Sequence, residues 1–185
     1  NGSIYVSYGT SSNPSGETAA QSGGADGAAG GRLTAATAAL APEKSRSIEL
    51  GTKWDLFDER LSVTGAVFET RKTDARSADP ITGDITLAGS NRVRGVELSA
   101  AGSITPRWQV WAGYSYMDPK VTNYNSGGTD FSGKQMKFIA RQSASLWTTY
   151  KFLPELTVGA GATYTGKRYV DDANVYQLPS YWRYD

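Results

Sequence analysis

The sequence predicts an all-β protein: an antiparallel wall of a transmembrane β-barrel, with about 7–8 long strands. Apolar and polar residues alternate with a period of two along several segments, which is the pattern of a strand with two unlike faces. These segments run for about 10–14 residues, whereas strands of globular sheets average roughly 5–6. Short and long connections alternate between the segments, as they do in outer-membrane barrels with short periplasmic turns and long extracellular loops.

Composition narrows the class of protein further. The chain has 185 residues and a mean hydropathy of −0.43, and it contains no apolar run long enough for a membrane helix. A barrel strand escapes hydropathy analysis because only alternate residues face lipid. Eleven Tyr and five Trp suit the two membrane interfaces. The lack of Cys and His rules out disulfides, thiolate zinc sites and the commonest general base, and a net charge of +1 gives no sign of nucleic-acid binding.

The first half of the chain predicts three strands, at residues 2–9, 44–57 and 61–74. In the second, Ile48, Leu50 and Trp54 share one face and alternate with polar or small residues. A long loop at 10–43 precedes that strand, and a tight turn at 57–60 follows it. In the third, Phe68 breaks the alternation, which predicts either a bulge or a filled lumen position.

The second half predicts strands at 91–104, 108–118, 137–152 and 156–168, and a truncated eighth strand at the end of the chain. Tight turns are expected at 104–107 and 153–155, and longer loops at 75–90, 119–136 and 169–178. The turns would be periplasmic and the loops extracellular. An aromatic and apolar girdle would then lie near the periplasmic interface, formed by Trp54, Phe57, Trp108, Phe152 and Leu156. Both termini fall within strands, so we expect a piece of a larger barrel.

Two sets of residues are candidates for function. Strand-borne polar residues would line the lumen, where they pair with one another or contact cargo: Glu49, Lys53, Asp55, Glu97 and Arg141. Loop residues could stack on or attract an anionic aromatic cargo: Tyr124, Phe131, Lys134, Lys167, Arg168, Tyr169 and Tyr176. No catalytic or metal-binding residue is predicted, because the acidic pairs fall in turns and the serines have no His to activate them.

Three other classes fit parts of the pattern. Eight strands could nearly close a small barrel, although the loop at 10–43 is long for one. A passive diffusion porin would show the same alternation. A soluble β-sandwich would point its apolar faces at a core and usually has shorter loops. An enzyme is the least favoured class.

Several segments resemble the barrel of TonB-dependent siderophore receptors. The segment SRSIELGTKWDLFDERLSVTGAVFETRKTDAR carries an E-x-G-x-K pattern at Glu49, Gly51 and Lys53. The segment NRVRGVELSAAGSITPRWQVWAGYSYMD carries an R-G-x-E pattern at Arg94, Gly95 and Glu97. The segments SASLWTTYKFLPELTVGAGATYTGKRYVDDAN and LPSYWRYD are similar to the strands that follow in that family.

This resemblance implies that residues 1–185 are part of a barrel of about 22 strands, in the bacterial outer membrane, plugged by an N-terminal domain missing here. The implied activity is import of ferric siderophores, driven by the TonB complex acting on the missing plug. Implied partners are the iron(III)-siderophore and outer-membrane lipid, with the receptor a monomer and no resident cofactor. The likeness is greatest to receptors for catecholate-type siderophores.

Overall fold

The computed structural model describes residues 1–13, 41–78, 85–87, 89–126 and 128–185. All regular structure in these ranges is β-strand. The long strands are β1 (Gly2–Asn13), β2 (Glu43–Leu56), β3 (Leu61–Thr73), β6 (Ser90–Thr105), β7 (Trp108–Asn123), β10 (Gln142–Leu153) and β11 (Leu156–Thr165), followed by β14 (Tyr181–Tyr184). Across the described ranges, no helix is long and apolar enough to cross a membrane.

These eight strands form one antiparallel sheet in the order β1-β2-β3-β6-β7-β10-β11-β14. Three small hairpins fall between them along the chain: β4 (Arg76–Ala78) with β5 (Ile85–Leu87), β8 (Asn125–Ser126) with β9 (Thr129–Asp130), and β12 (Arg168–Tyr169) with β13 (Gln177–Leu178). Each long strand pairs with the next long strand along the chain, so the sheet is a meander. The predicted all-β antiparallel wall is confirmed.

The strand register sorts the side chains onto two unlike faces. Directly paired residues share a face, and successive residues along a strand point to opposite faces. One row of paired residues across the sheet contains Val6, Leu50, Val67 and Val96. On the same side, the next row contains Leu98 and Tyr114, and the row after that contains Leu146. We call this side the apolar face. The opposite side, here the polar face, carries mainly Ser, Thr, Gly and charged residues.

A second layer of protein does not cover the apolar face within the described ranges. Many of its large side chains are exposed, from Val96 at 38% through Leu50 at 50% and Leu98 at 55% to Ile4 at 76%. Among the described residues, the apolar side chains that are buried are Leu61, Ala75, Pro119 and Val121. This part of the chain therefore lacks the core that a globular sandwich of this length would contain. The sandwich alternative is therefore disfavoured.

Cross-strand aromatic rings cover three glycines on the polar face. The pairs are Tyr5 with Gly51, Phe68 with Gly95, and Trp147 with Gly161. A Cβ added at Gly95 would lie 2.7 Å from the Phe68 ring and 2.6 Å from the Tyr116 carbonyl oxygen. Phe68 pairs in regular register on both sides, so it fills a polar-face position and makes no bulge. Of the two predicted explanations for Phe68, the filled position is the correct one.

Tight connections join the long strands at one end of the sheet. Residues 57–60 turn with positive φ at Phe57, Asp58 and Glu59, and the Arg60 side chain donates to the Phe57 carbonyl at 2.7 Å. Residues 106–107 and 154–155 make the other two turns at this end. Trp108 lies on the apolar face at this end of the sheet, and its indole N–H donates to the Thr148 hydroxyl at 2.8 Å.

At the opposite end of the sheet, several strands begin or end at other residues than predicted. The sixth predicted strand, 137–152, begins only at Gln142, because Phe138 adopts a φ of 63° and donates its amide to the Tyr169 carbonyl at 2.7 Å. The seventh, 156–168, stops at Thr165, and Arg168 joins the small β12–β13 hairpin instead. Conversely, β1 extends to Asn13 and β7 to Asn123, into segments predicted as loops. Most of the predicted loop 10–43 lies outside the described residues.

Candidate functional site

The polar face carries hydrogen-bonded polar groups along its centre. The Tyr5 hydroxyl donates to the Glu49 carboxylate at 2.7 Å. Hydroxyl pairs link neighbouring strands, Thr64 with Ser99 at 2.6 Å and Ser115 with Ser143 at 2.7 Å. These groups line a shallow cavity of about 430 Å³, together with Glu97. The cavity therefore presents carboxylates and hydroxyls on the polar face.

The register puts four predicted lumen residues, Glu49, Lys53, Asp55 and Glu97, on this polar face. Lys53 and Asp55 form an ion pair, with Nζ and Oδ1 3.7 Å apart. Arg141 is different. It lies just before β10, and its guanidinium is 3.8 Å from the carboxylate of Asp118. Asp118 is two residues from Tyr116 along β7, so the two residues share the apolar side.

Two loop segments, 131–141 and 166–180, are bound to each other at the end of the sheet opposite the tight turns. The Gln135 amide donates to the Asn174 side-chain carbonyl at 2.7 Å, and the Asn174 side-chain amide donates back to the Gln135 carbonyl at 2.9 Å. Lys137 and Asp172 add an ion pair at 2.8 Å. We call this unit the loop clamp. It holds residues far apart in sequence in one fixed arrangement.

Asp171 shapes the second segment of the loop clamp. Its carboxylate accepts the Val175 amide at 3.0 Å and the Tyr176 amide at 2.8 Å. Asn174 has a positive φ of 59° within this turn, a conformation that Asn tolerates better than most residues. The backbone amides of Val175 and Tyr176 hold the pKa of the Asp171 carboxyl below its usual range, because they stabilise the charged form. Asp130 ends β9, just before the 131–141 segment. The Ser132 hydroxyl and backbone amide lower the pKa of its carboxyl in the same way.

A cavity of about 540 Å³ opens beside the loop clamp. Three of the predicted cargo residues line it, Lys134, Lys167 and Tyr169, and Arg141 joins them. Tyr116, Gln142 and Tyr164 also line the cavity, and all three belong to the apolar side of the register. The cavity therefore combines three cationic side chains with tyrosines, a lining suited to an anionic, aromatic molecule.

The other predicted cargo residues, Tyr124, Phe131, Arg168 and Tyr176, do not line this cavity. Tyr124 and Phe131 pack against each other, with ring centroids 5.4 Å apart and ring planes tilted by 31°. The Arg168 guanidinium lies 5.8 Å from the centre of the Tyr181 ring. Tyr176 is 69% exposed beside the loop clamp.

The side chains that hold the loop clamp together were not predicted as site residues. Sequence reasoning missed Gln135 and Asn174, whose pairing spans 39 positions and leaves no local signal. Among the described residues, no group of three or more His, Cys, Asp or Glu side chains could hold a metal ion.

Comparison with known proteins identifies the family. A family description, "TonB dependent receptor-like, beta-barrel", matches residues 1–185. The chain is 43% identical over 194 residues to the probable TonB-dependent siderophore receptor PiuA of Acinetobacter baumannii, covering 100% of this chain and 25% of that protein. It is 32% identical over 185 residues to the catecholate siderophore receptor Fiu of Escherichia coli K12, covering 98% of this chain and 23% of that protein.

Solved structures agree with the sequence relatives. The crystal structure of the siderophore receptor PiuA from Acinetobacter baumannii superposes with a TM-score of 0.81 at 40% identity, over 100% of this chain and 26% of that one. The chain thus spans about a quarter of the length of the relatives it matches. These relatives are named receptors, so the porin alternative is not favoured. The eight-stranded meander with one apolar and one polar face belongs to the TonB-dependent receptor β-barrel family.

Proposed function

We propose that this chain is part of the wall of a bacterial outer-membrane receptor that binds and imports ferric siderophores, with energy supplied by the TonB complex. The observation that carries the proposal is the 32–43% identity, over nearly the whole chain, to proteins named as siderophore receptors. The two-faced sheet supports the membrane placement, since the apolar face would meet acyl chains and the polar face the barrel interior. No resident cofactor is proposed; iron(III) enters as cargo inside its chelator.

We propose catecholate-type chelates as the cargo class. A ferric catecholate is anionic and aromatic, and the loop segments beside the loop clamp offer Lys134 and Lys167 as charge partners and Tyr169 as an aromatic surface. The strand residues beneath them, Tyr116, Gln142 and Tyr164, belong to the apolar side and are not part of the proposed cargo site. Tyr124, Phe131, Arg168 and Tyr176 would extend the same loop surface toward the extracellular medium. The loop clamp would keep the cationic groups in place before cargo arrives, which lowers the entropy lost on binding.

The test uses the full-length receptor with Lys134→Gln and Lys167→Gln combined. Each lost charge-assisted contact is worth about 1.5–3 kcal/mol, so the loss of both should raise the Kd for a ferric catecholate by about a hundredfold or more. Affinity is measured by fluorescence quenching and uptake with radiolabelled iron, in cells with and without TonB. The matched control is Lys151→Gln, at the tight-turn end of β10.

Three results would count against the proposal. The first is import that continues at the same rate without TonB, since it would indicate a passive channel. The second is an unchanged Kd in the double variant, which would remove Lys134 and Lys167 from the cargo site. The third is an equal loss in the Lys151→Gln control.

A further inference from the structure

Four basic residues form one continuous row across the apolar side of the sheet. Arg46 pairs with Arg71, Arg71 with Arg92, and Arg92 with Lys120, on four adjacent strands. Neighbouring strands lie about 4.8 Å apart, so this basic row spans roughly 15 Å. The basic row is two residues closer to the loop end of the sheet than the row that contains Ile48 and Glu69.

Like charges directly opposite one another destabilise a sheet unless something neutralises them. Nearby carboxylates neutralise only part of the row. Glu69 is bound by both Arg71 and Arg94, and Asp118 lies 3.3 Å from Lys120.

Arg46 and Arg92 differ from the other two members of the row. In the part of the chain that the structure describes, no carboxylate lies within ion-pair distance of Arg46 or Arg92, and the buried Nε of Arg92 has no hydrogen-bond partner. On the polar face at the same height, by contrast, Lys72 is paired with Glu43 at 2.9 Å. The excess of positive charge is therefore a feature of the apolar side.

An apolar groove adjoins the basic row on the side of the sheet centre. Its volume is about 580 Å³, and it is open along the face. The apolar lining residues are Ile48, Leu50, Val67, Phe68, Gly95, Val96 and Tyr116. Glu69, Arg94 and Asp118 form its polar rim, next to the basic row. Cationic groups beside an apolar groove suit an amphipathic ligand with an anionic head and a hydrocarbon tail.

We propose that the basic row and the groove below it bind a phosphate-bearing lipid of the outer leaflet, with the phosphates on Arg46 and Arg92 and an acyl chain in the groove. The proposal rests on the outer-membrane placement given above. Arginine suits this role because its planar guanidinium donates two parallel hydrogen bonds to phosphate oxygens. A lipid is favoured over a soluble anion because the row lies on the face that meets acyl chains.

The experiment measures lipid binding to the purified full-length receptor by native mass spectrometry. The probes are diphosphoryl lipid A, phosphatidylcholine as a zwitterionic reference, and inorganic phosphate as a competitor. The test variant combines Arg46→Gln with Arg92→Gln. The control combines Arg107→Gln with Lys151→Gln, which removes the same charge at the tight-turn end of the sheet.

Each basic side chain near a charged membrane surface is worth about 1 kcal/mol, so the test variant should bind diphosphoryl lipid A roughly thirtyfold more weakly. The control should bind it like the wild type, and inorganic phosphate should not displace it. Equal binding by test variant and wild type, equal loss in the control, or displacement by inorganic phosphate would overturn the proposal. The lipid measurement needs only the folded barrel, so a receptor that imports no siderophore would refute the proposed function while the lipid affinities still decide this site.

Discussion

Leu98 and Ser99 are consecutive residues near the middle of β6, and they test which face of the sheet meets lipid. Leu98 lies on the apolar face and is 55% exposed. Ser99 lies on the polar face, where its hydroxyl is 2.6 Å from that of Thr64. The same substitution, to arginine, can therefore be made on either face at the same depth. If the apolar face meets lipid, Leu98→Arg would put a charge among acyl chains, whereas Ser99→Arg would put it in the barrel interior.

The expected free energies of unfolding differ clearly. An arginine on the lipid face near the bilayer midplane costs about 2–4 kcal/mol. Ser99→Arg loses one neutral hydrogen bond, which costs about 1 kcal/mol. Leu98→Arg should therefore destabilise the barrel by roughly 1–3 kcal/mol more than Ser99→Arg.

The assay is urea unfolding of the full-length receptor in liposomes, followed by tryptophan fluorescence and by the gel shift between folded and unfolded barrel. Leu98→Met serves as a control, because it keeps an apolar side chain of similar size. If Ser99→Arg proved as costly as Leu98→Arg, or more so, the assignment of the two faces would be refuted.

Two further predictions concern a strand and a loop. Gly95→Ala should lower the free energy of unfolding by about 1–3 kcal/mol, because its Cβ would meet the Phe68 ring at 2.7 Å; Gly9→Ala, where nothing lies within 4 Å, should be near neutral in the same urea assay. The turn held by Asp171 should keep its amide protection from pH 7 down to the ordinary aspartate pKa of about 3.9, and lose it below that value, as the pH falls through the lowered pKa of the folded state. Hydrogen exchange would detect this change, and a loss of protection already at pH 6, or equal protection in Asp171→Ala, would contradict it.

Sequence alone predicts the sheet well and its loop end poorly. The alternation from Ile48 to Leu56 is local information, and the residues of that one strand are enough to assign each of its side chains to a face. The start of β10 is not local. Residues 137–141 read as strand, but the positive φ of Phe138 and the bonds of the loop clamp come from a partner segment more than 30 positions away. Such contacts leave no periodicity in the sequence.

The candidate sites show the same division. Glu49 and Glu97 could be assigned to the polar face from parity along their own strands. The basic row could not, because it depends on the register of four strands. Arg46 and Arg92 are 46 positions apart, and each looks like an ordinary strand-end charge by itself. Pairing through β3 is what brings them onto one line with Arg71.

Site-directed spin labelling of β6 tests the central claim most directly, and the lack of cysteine within residues 1–185 means that none need be removed from this segment. Single cysteines from Val93 to Ser103 in the full-length receptor would be labelled in liposomes, and collision rates with oxygen and with a water-soluble nickel chelate measured. High oxygen accessibility is predicted at Val96, Leu98 and Ala100, with lower values at the residues between them. A reversed phase, or no alternation at all, would contradict a wall with one face toward lipid.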